Sequence, residues 1–242
     1  MKTAIVTGAS SGIGAQISRH LSYEGYALNL LGRDILRLTE VKNSCQGDNH
    51  QTFNFDFTKT EEVQSFSQQW LKENSSPLKA LVINAGNINR SSFNETPITE
   101  WEQQFQISVL GPISLIKEFW QRIINDKTTI ITIASTLALK PIANTAAYSS
   151  LKAAMVNWST SLAAEMAPFG VRVNCICPGI IETPIHGQTD SLWHQSINEL
   201  VPLGRSGQPD DIAEMVSFLL SEKAKWITGT QQIIDGGLHN LR

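Results

Sequence analysis

The sequence predicts a single α/β domain in which a doubly wound parallel sheet of about seven strands has helices on both faces. Short apolar runs alternate with longer segments of helical periodicity along the whole chain. Strands that are apolar throughout are typical of a parallel sheet buried on both faces, and right-handed crossovers wind such a sheet in two directions. No composition shift or flexible linker divides the 242 residues, so we interpret residues 1–242 as one domain.

The apolar runs predict the strands, and the periodic segments between them predict the helices. The predicted strands are Thr3–Thr7, Ala27–Leu31, Thr52–Phe55, Ala80–Ile83, Thr129–Ala134, Arg172–Ile176 and Gln232–Ile234. The predicted helices begin near Ile13, Ile35, Thr60, Thr99, Thr145 and Pro209. The long segment Thr183–Arg205 mixes prolines and glycines with apolar residues, which favours a lid with its own short helix. A plain surface loop is the alternative.

Composition excludes several classes of function. The net charge is −3 and basic residues do not cluster, so neither nucleic acid nor an anionic membrane is an expected partner. No apolar stretch reaches the ~20 residues that span a bilayer, and the first residues read as a strand rather than a signal peptide. We expect a cytoplasmic protein. Three cysteines give no disulfide framework, and five scattered histidines predict no metal site.

A glycine-rich loop follows the first strand and opens the first helix. Backbone N–H groups in such a loop can approach a pyrophosphate at the positive end of the helix. An ordinary glycine-rich turn is the alternative, but the position after strand one favours dinucleotide binding. The candidate residues are Gly8, Ser10, Ser11, Gly12, Ile13 and Gly14.

The end of the second strand predicts which dinucleotide binds. An NAD-binding chain offers a carboxylate to the ribose 2′-hydroxyl there, whereas this chain has Gly32 followed by Arg33. A guanidinium suits a 2′-phosphate, so we expect NADP(H) to be preferred, with NAD(H) as the weaker choice. A solvated arginine that opens a helix is the alternative.

Two further strand ends fit a dinucleotide. After strand three, Asp56 can accept a hydrogen bond from the adenine amino group, with Phe57 beside it, although Asp56 could instead cap the next helix. After strand four, the turn Asn84-Ala85-Gly86 would let the backbone pass close to a ribose.

Tyr148 and Lys152 lie four residues apart, which places them on one face of a helix. A cation there stabilises a phenolate, so we expect the tyrosine pKa to fall below its usual value of about 10. The pair would then supply a proton donor and acceptor near neutral pH. Alone it is a weak signal, and it gains weight from the motifs around it.

The ordered motifs resemble the short-chain dehydrogenase/reductase family, from Lys2 to Gly237. They are Gly8/Gly12/Gly14, Asn84-Ala85-Gly86, Ser135, Tyr148-x-x-x-Lys152, Pro178-Gly179 and Asp235-Gly236-Gly237. The C-terminal part, Pro202–Arg205 onward, is most similar to the 3-oxoacyl-(acyl-carrier-protein) reductase branch. The resemblance implies a Rossmann-type fold, an NAD(P) cofactor and an enzyme that interconverts a ketone and a secondary alcohol.

The same resemblance implies a role for each matched residue. Tyr148 would exchange a proton with the substrate oxygen, Lys152 would hold the nicotinamide ribose, and Ser135 would hydrogen-bond the substrate oxygen. The nicotinamide would be flanked by Pro178, Gly179, Ile181 and Thr183. The substrate pocket would draw on Leu137, Ile142, Asn144, Thr145, Ile180, Ile185, His186 and Trp193.

Two departures from the family pattern limit this transfer. Ser108 stands where relatives usually have an asparagine that holds a water beside the lysine, so we expect a slower or rearranged proton relay. Carrier-protein reductases usually have basic residues where this chain has Asp126, Thr129 and Phe169, so an acidic carrier would be attracted less, although Lys127 lies nearby.

Three functions remain open from the sequence. The first is an NADP(H)-dependent, 3-oxoacyl-reductase-like enzyme, and the second is an NAD(P)-dependent dehydrogenase of a sugar, polyol or steroid-like alcohol. The third is a non-catalytic dinucleotide-binding redox sensor, which Ser108 alone favours. By analogy with relatives we expect a homotetramer or homodimer, formed through the helices near Thr99–Ile124 and Thr145–Pro168 and the C-terminal strand.

Overall fold

Seven strands form one parallel sheet in the computed structural model, which describes residues 2–184 and 191–241. The strands are β1 (Lys2–Thr7), β2 (Tyr26–Gly32), β3 (Gln51–Asn54), β4 (Leu78–Ile83), β5 (Thr129–Ile133), β6 (Val173–Pro178) and β7 (Gln231–Ile234). Their spatial order is β3-β2-β1-β4-β5-β6-β7, and every neighbouring pair is parallel. The predicted fold class is confirmed.

Helices cover both faces of this sheet. They are α1 (Gly12–Tyr23), α2 (Ile35–Asn43), α3 (Thr60–Glu73), α4 (Ile98–Phe105), α5 (Gly111–Glu118), α6 (Trp120–Asp126), α7 (Ala146–Met166), α8 (Ser191–Leu200), α9 (Pro209–Leu220) and α10 (Leu238–Leu241). Short 3-10 turns lie at Thr136–Ala138, Ala167–Phe169 and Glu222–Ala224.

Alternation along each strand builds two separate hydrophobic cores. In β1, Ile5 belongs to the core under α3, α5 and α7, whereas its neighbours Ala4 and Val6 belong to the core under α1, α2 and α9. Successive strand residues point to opposite faces, so a strand that is apolar throughout must be covered twice. Burial of both faces of the central strands therefore explains both their apolar sequences and the helices on each side of the sheet.

The strand order reverses between β1 and β4, because the chain leaves β1 in one direction and later crosses to the other side. In open α/β sheets, ligands bind at such a point, outside the carboxyl ends of the strands. The residues that directly follow β1, β4, β5 and β6 are the ones that the sequence predicts to be functional.

One long helix expected near Thr99–Ile124 is broken into pieces. A π-helical turn at Gln106–Leu110 separates α4 from α5, and α6 starts after a further break at Phe119. Pro112 has no N–H to donate to the carbonyl of Ser108, so regular α-helical bonding fails at this place. The disruption positions Ser108, as described below.

The expected lid segment Thr183–Arg205 does contain a short helix, α8, which is mostly exposed. Residues 185–190, which belong to the same segment, lie outside the described residues. That the segment moves as a lid stays a prediction. Within the described ranges, no helix is long and apolar enough to cross a membrane, and no group of three or more potential ligand side chains could hold a metal ion.

Candidate active site

Three side chains predicted to be reactive meet beside the end of β5. Ser135 lies two residues beyond this strand, and Tyr148 and Lys152 lie near the start of α7. The Ser135 side chain lies close enough to the Tyr148 phenol to lower its pKa as a hydrogen-bonding partner. The Lys152 Nζ lies 5.7 Å from the centroid of the Tyr148 ring. The structure therefore brings the three groups into one site.

Burial dominates the acidity of the Tyr148 phenol. Removal from water raises its pKa from 10.0 to about 12, while the hydrogen bond to Ser135 and the positive charge of Arg90 act in the opposite direction. The expectation of a pKa lowered by Lys152 is therefore wrong for the protein alone. Sequence spacing reveals the neighbouring cation but not the desolvation, which is the larger effect here.

Lys152 is itself buried and lies against the end of β5. Its Nζ donates a hydrogen bond of 2.8 Å to the Ile133 carbonyl and contacts the Met155 sulfur at 3.5 Å. Burial lowers the pKa of the ammonium from 10.5 to about 8. A small fraction of Lys152 is consequently neutral near neutral pH, whereas an exposed lysine is almost fully protonated there.

Ser108 reaches this site from the π-helical turn. A Cβ atom placed on Gly86 would lie 3.5 Å from the Lys152 Nζ and 3.7 Å from the Ser108 Oγ, so the two side chains flank the same point. Ser108 is only 2% exposed. The serine thus occupies the position that the family resemblance gives to the asparagine, and its part in a proton relay stays a prediction.

The glycine-rich loop is packed too tightly for side chains. Gly8 has a φ of +63°, and a Cβ on Gly14 would lie 2.2 Å from the Gly8 carbonyl oxygen. Asn84 fixes this loop from the neighbouring strand end, because its Nδ2 donates to the carbonyls of both Thr7 and Gly8 at 3.1 Å. The turn after β4 therefore supports the loop with a side chain, in addition to its backbone.

Two cavities run along the carboxyl edge of the sheet and share Gly8, Ser11 and Gly86 in their walls. Their volumes are about 430 and 360 Å³. The larger contains the Ser135, Tyr148 and Lys152 groups. Together they form an elongated space centred on the glycine loop, which is where the two halves of a dinucleotide would lie on either side of its pyrophosphate. The residues present therefore fit such a cofactor.

The smaller cavity has the features expected at an adenosine end. Arg33, Asp56 and Phe57 line it together with Ser10 and with Arg37, which the sequence analysis missed. The Asp56 carboxylate accepts the Thr58 N–H at 2.9 Å. The N-cap of α3 is Lys59 rather than Asp56, so the alternative role of Asp56 as the helix cap is wrong.

The larger cavity contains the predicted nicotinamide-side residues. Its lining includes Gly12 and Ile13 from the glycine loop and Pro178, Gly179, Ile181 and Thr183 from the end of β6. The Thr183 side chain approaches the loop closely, since a Cβ on Gly12 would lie 3.1 Å from it. The ends of β1 and β6 thus face each other across the cavity.

The predicted substrate residues divide into three groups. Leu137, Ile142 and Ile180 line the larger cavity, as expected. Asn144, Thr145 and Trp193 are not among the described residues that line it, and Thr145 is buried with its hydroxyl bonded to the Ile142 carbonyl. The assignment of Thr145 to the cavity wall is therefore wrong, and those of Asn144 and Trp193 stay predictions. Ile185 and His186 lie outside the described residues.

Sequence reasoning missed several residues of this wall. They are Ile88, Arg90, Lys140, Leu200, Leu238 and His239. These residues come from loops after β4 and β5, from α8 and from the C-terminal turn, so only the tertiary fold brings them together. For Arg90 a signal did exist, since it follows the Asn84-Ala85-Gly86 turn at a strand end.

Comparisons with known proteins agree with this geometry. The family model described as "Enoyl-(Acyl carrier protein) reductase" matches residues 8–239. A 3-oxoacyl-[acyl-carrier-protein] reductase of Mus musculus is 34% identical, with 98% of each chain covered. A 2-(S)-hydroxypropyl-CoM dehydrogenase of Xanthobacter autotrophicus is 31% identical, covering 96% of this chain and 94% of its own.

The fold is also similar to solved structures of reductases. The 3-ketoacyl-(acyl-carrier-protein) reductase from Brucella melitensis complexed with NADH has a TM-score of 0.92 at 27% identity, with 98% of each chain covered. YwfH, an NADPH-dependent reductase involved in bacilysin biosynthesis, has a TM-score of 0.90 at 26% identity, covering 99% of this chain and 98% of its own.

Fold and site together define a nicotinamide-dinucleotide oxidoreductase that acts on CH–OH groups. Within that class, the chain belongs to the short-chain dehydrogenase/reductase family.

Proposed function

We propose that this protein is an NADP(H)-dependent reductase of a 3-oxoacyl-like ketone, with Tyr148 as the proton donor. The observation that supports it most is that Ser135, Tyr148 and Lys152 line the same cavity as the glycine loop. Apolar side chains of Leu137, Ile142 and Ile180 on that cavity suit an acyl chain.

In the proposed reaction, Ser135 and Tyr148 bind the carbonyl oxygen, and Tyr148 gives it a proton as the carbon is reduced. When bound, the nicotinamide supplies the hydride, so the C=O bond becomes a CH–OH group. The Lys152 ammonium is anchored by the Ile133 carbonyl and lies near the Tyr148 ring. It supplies positive charge near the developing phenolate. Ser108 lies beside the lysine, where it would support a slower or rearranged proton relay.

Replacement of Tyr148 by phenylalanine tests this assignment. The Tyr148→Phe protein should bind NADPH with unchanged affinity, measured by nicotinamide fluorescence, but lose turnover of ketones at least a hundredfold, because the proton donor is gone. The exposed-lysine variant Lys225→Gln, far from both cavities, is the control. Retained turnover in Tyr148→Phe would refute the proposal.

The preference for NADP(H) is supported by the end of β2. Arg33 and Arg37 line the adenosine-side cavity together with Ser10. A Cβ on Gly32 would lie 3.6 Å from the Ser10 Oγ. Because residue 32 is a glycine, it supplies no carboxylate there, and the two guanidinium groups suit a phosphate. Asp34 is partly engaged, since it caps α2 and pairs with Arg37 at 3.3 Å.

Binding of both dinucleotides to wild type and Arg33→Ala tests this preference. Arg33→Ala should weaken NADPH binding about tenfold, the usual effect of losing one charge-assisted phosphate contact, and leave NADH binding nearly unchanged. An NADPH/NADH affinity ratio that is the same in both proteins contradicts the assignment.

We also propose a cytoplasmic homotetramer or homodimer. Phe105 and Leu110, on the broken helical segment expected at the interface, are 41% and 49% exposed in the single chain, as large apolar side chains at a subunit contact would be. Light scattering should give a mass two or four times that of one chain, and a monomeric mass would contradict this.

A further inference from the structure

The larger cavity has an unusual charge balance for this protein. Among the described residues that line it, the ionisable cations are Arg90, Lys140 and Lys152, His239 is also present, and neither aspartate nor glutamate occurs. The whole chain, in contrast, has a net charge of −3. Lys152 is already assigned to the reaction and Lys140 has an interaction of its own, which leaves Arg90 as the cation to be explained.

Arg90 lies on the substrate side of the site. It comes from the loop after β4, is exposed, and has no ion pair within the part of the chain that the structure describes. Its charge acts on the Tyr148 phenol, so the guanidinium is within electrostatic reach of the reacting hydroxyl. Arg90 does not line the adenosine-side cavity. Its position therefore suits recognition of a substrate rather than of the cofactor phosphates.

His239 adds an unpaired polar atom to the same wall. Its backbone N–H donates to the Asp235 carboxylate at 2.6 Å, which fixes the C-terminal turn against the cavity. Its Nδ1 is buried and has no hydrogen-bond partner among the described residues. Buried polar atoms are nearly always satisfied, so a ligand with a polar group is the expected partner.

The rest of the wall is apolar, with Leu137, Ile142, Ile180, Leu200 and Leu238. We propose that the substrate is a compact ketone that carries its own anionic group, such as a 3-oxo carboxylate, bound through Arg90. This inference rests on the proposed function and specifies its substrate class. Charge-assisted hydrogen bonds from a guanidinium to a carboxylate are among the strongest polar contacts available to such a site.

A pair of ketones that differ only in charge tests the proposal. The specificity constants kcat/KM are measured for 3-oxohexanoate and its methyl ester with wild type, Arg90→Gln, Arg90→Lys and the control Lys225→Gln. Arg90→Gln should lower the acid-to-ester ratio about tenfold through KM for the acid, and Arg90→Lys should retain most of it. The ratio is the readout because Arg90 also acts on Tyr148, and the ratio removes any part of that effect that the two ketones share.

A binding experiment separates this inference from the proposed function. Calorimetry compares hexanoate with hexanamide, two unreactive ligands, on the protein saturated with NADPH. Wild type should prefer hexanoate, and Arg90→Gln should lose that preference about tenfold. If neither ketone is turned over, the proposed function fails, and hexanoate binding alone then decides the inference. Equal binding of hexanoate and hexanamide, or an acid-to-ester ratio unchanged in Arg90→Gln, overturns it.

Discussion

Lys152 should weaken the fold at neutral pH, and its replacement by methionine should stabilise the protein. Burial lowers the lysine pKa from 10.5 to about 8, and at about 1.4 kcal/mol per pKa unit the protonated lysine destabilises the native state by roughly 3 kcal/mol. The Lys152→Met protein loses the hydrogen bond to the Ile133 carbonyl, which costs about 1–2 kcal/mol. The net gain is about 1–2 kcal/mol, or roughly 2–8 °C in Tm for a chain of this size.

The sign of the pH dependence follows from the direction of the pKa shift. Below pH 8 the lysine is protonated in both the folded and the unfolded chain, so the burial penalty is fully present. Between pH 8 and 10.5 the unfolded chain binds more protons than the folded chain, and the wild-type protein becomes more stable as pH rises. The advantage of Lys152→Met should therefore be largest at pH 7 and disappear by about pH 10.5.

Thermal unfolding without added nucleotide at pH 7 and pH 10 measures this effect. Lys225→Met is the matched control, because Lys225 is exposed and should give little change at either pH. The reasoning is refuted if Lys152→Met has a Tm equal to or below that of wild type at pH 7, or a Tm difference that does not change with pH.

Three further substitutions give distinct outcomes. Gly14→Ala should abolish NADPH binding and lower the Tm by more than about 5 °C, because its Cβ would lie 2.2 Å from the Gly8 carbonyl oxygen; unchanged binding by fluorescence contradicts this. Asn84→Ala removes two hydrogen bonds to the loop and should lower the free energy of unfolding by about 1–3 kcal/mol in urea, whereas a value within error of wild type rejects the supporting role. Ser108→Asn should raise kcat up to about tenfold and shift its pH profile, and a kcat and profile identical to wild type would remove Ser108 from the proton relay.

The sequence predicted the sheet well because local pattern and burial agree there. Each predicted strand overlaps an observed one to within two residues at either end. The central strands were the easiest to predict, because a strand buried on both faces is apolar at most positions. The helix starts near Ile35, Thr60 and Pro209 were also accurate. The broken helix around Ser108 was missed, because the pattern shows the apolar face of a helix but not the change in its hydrogen bonding.

The sequence was sufficient to place a candidate residue where one strand end positions it. Ser135 and Asn84 follow β5 and β4 directly, so their places follow from the parallel sheet alone. Arg90 reaches the cavity wall from the loop after β4, and His239 reaches it from α10, 149 residues further along the chain. No spacing rule connects the two residues. The assignment of Thr145 failed for a related reason, since its closeness to Tyr148 in sequence does not show that its side chain is turned inward.

The pKa values favour one direction of the proposed reaction. At pH 7 burial keeps Tyr148, with a pKa of about 12, as the neutral phenol, which is the form that can protonate a carbonyl oxygen. Oxidation of the alcohol needs the phenolate, so its rate should rise about tenfold per pH unit from neutral pH until the pH approaches the phenol pKa. Arg90 already acts in that direction, and an anionic substrate bound to Arg90 would partly neutralise it. An anionic ketone would therefore raise the phenol pKa relative to its uncharged ester, a coupling that the acid and ester pair would reveal as different pH profiles of kcat.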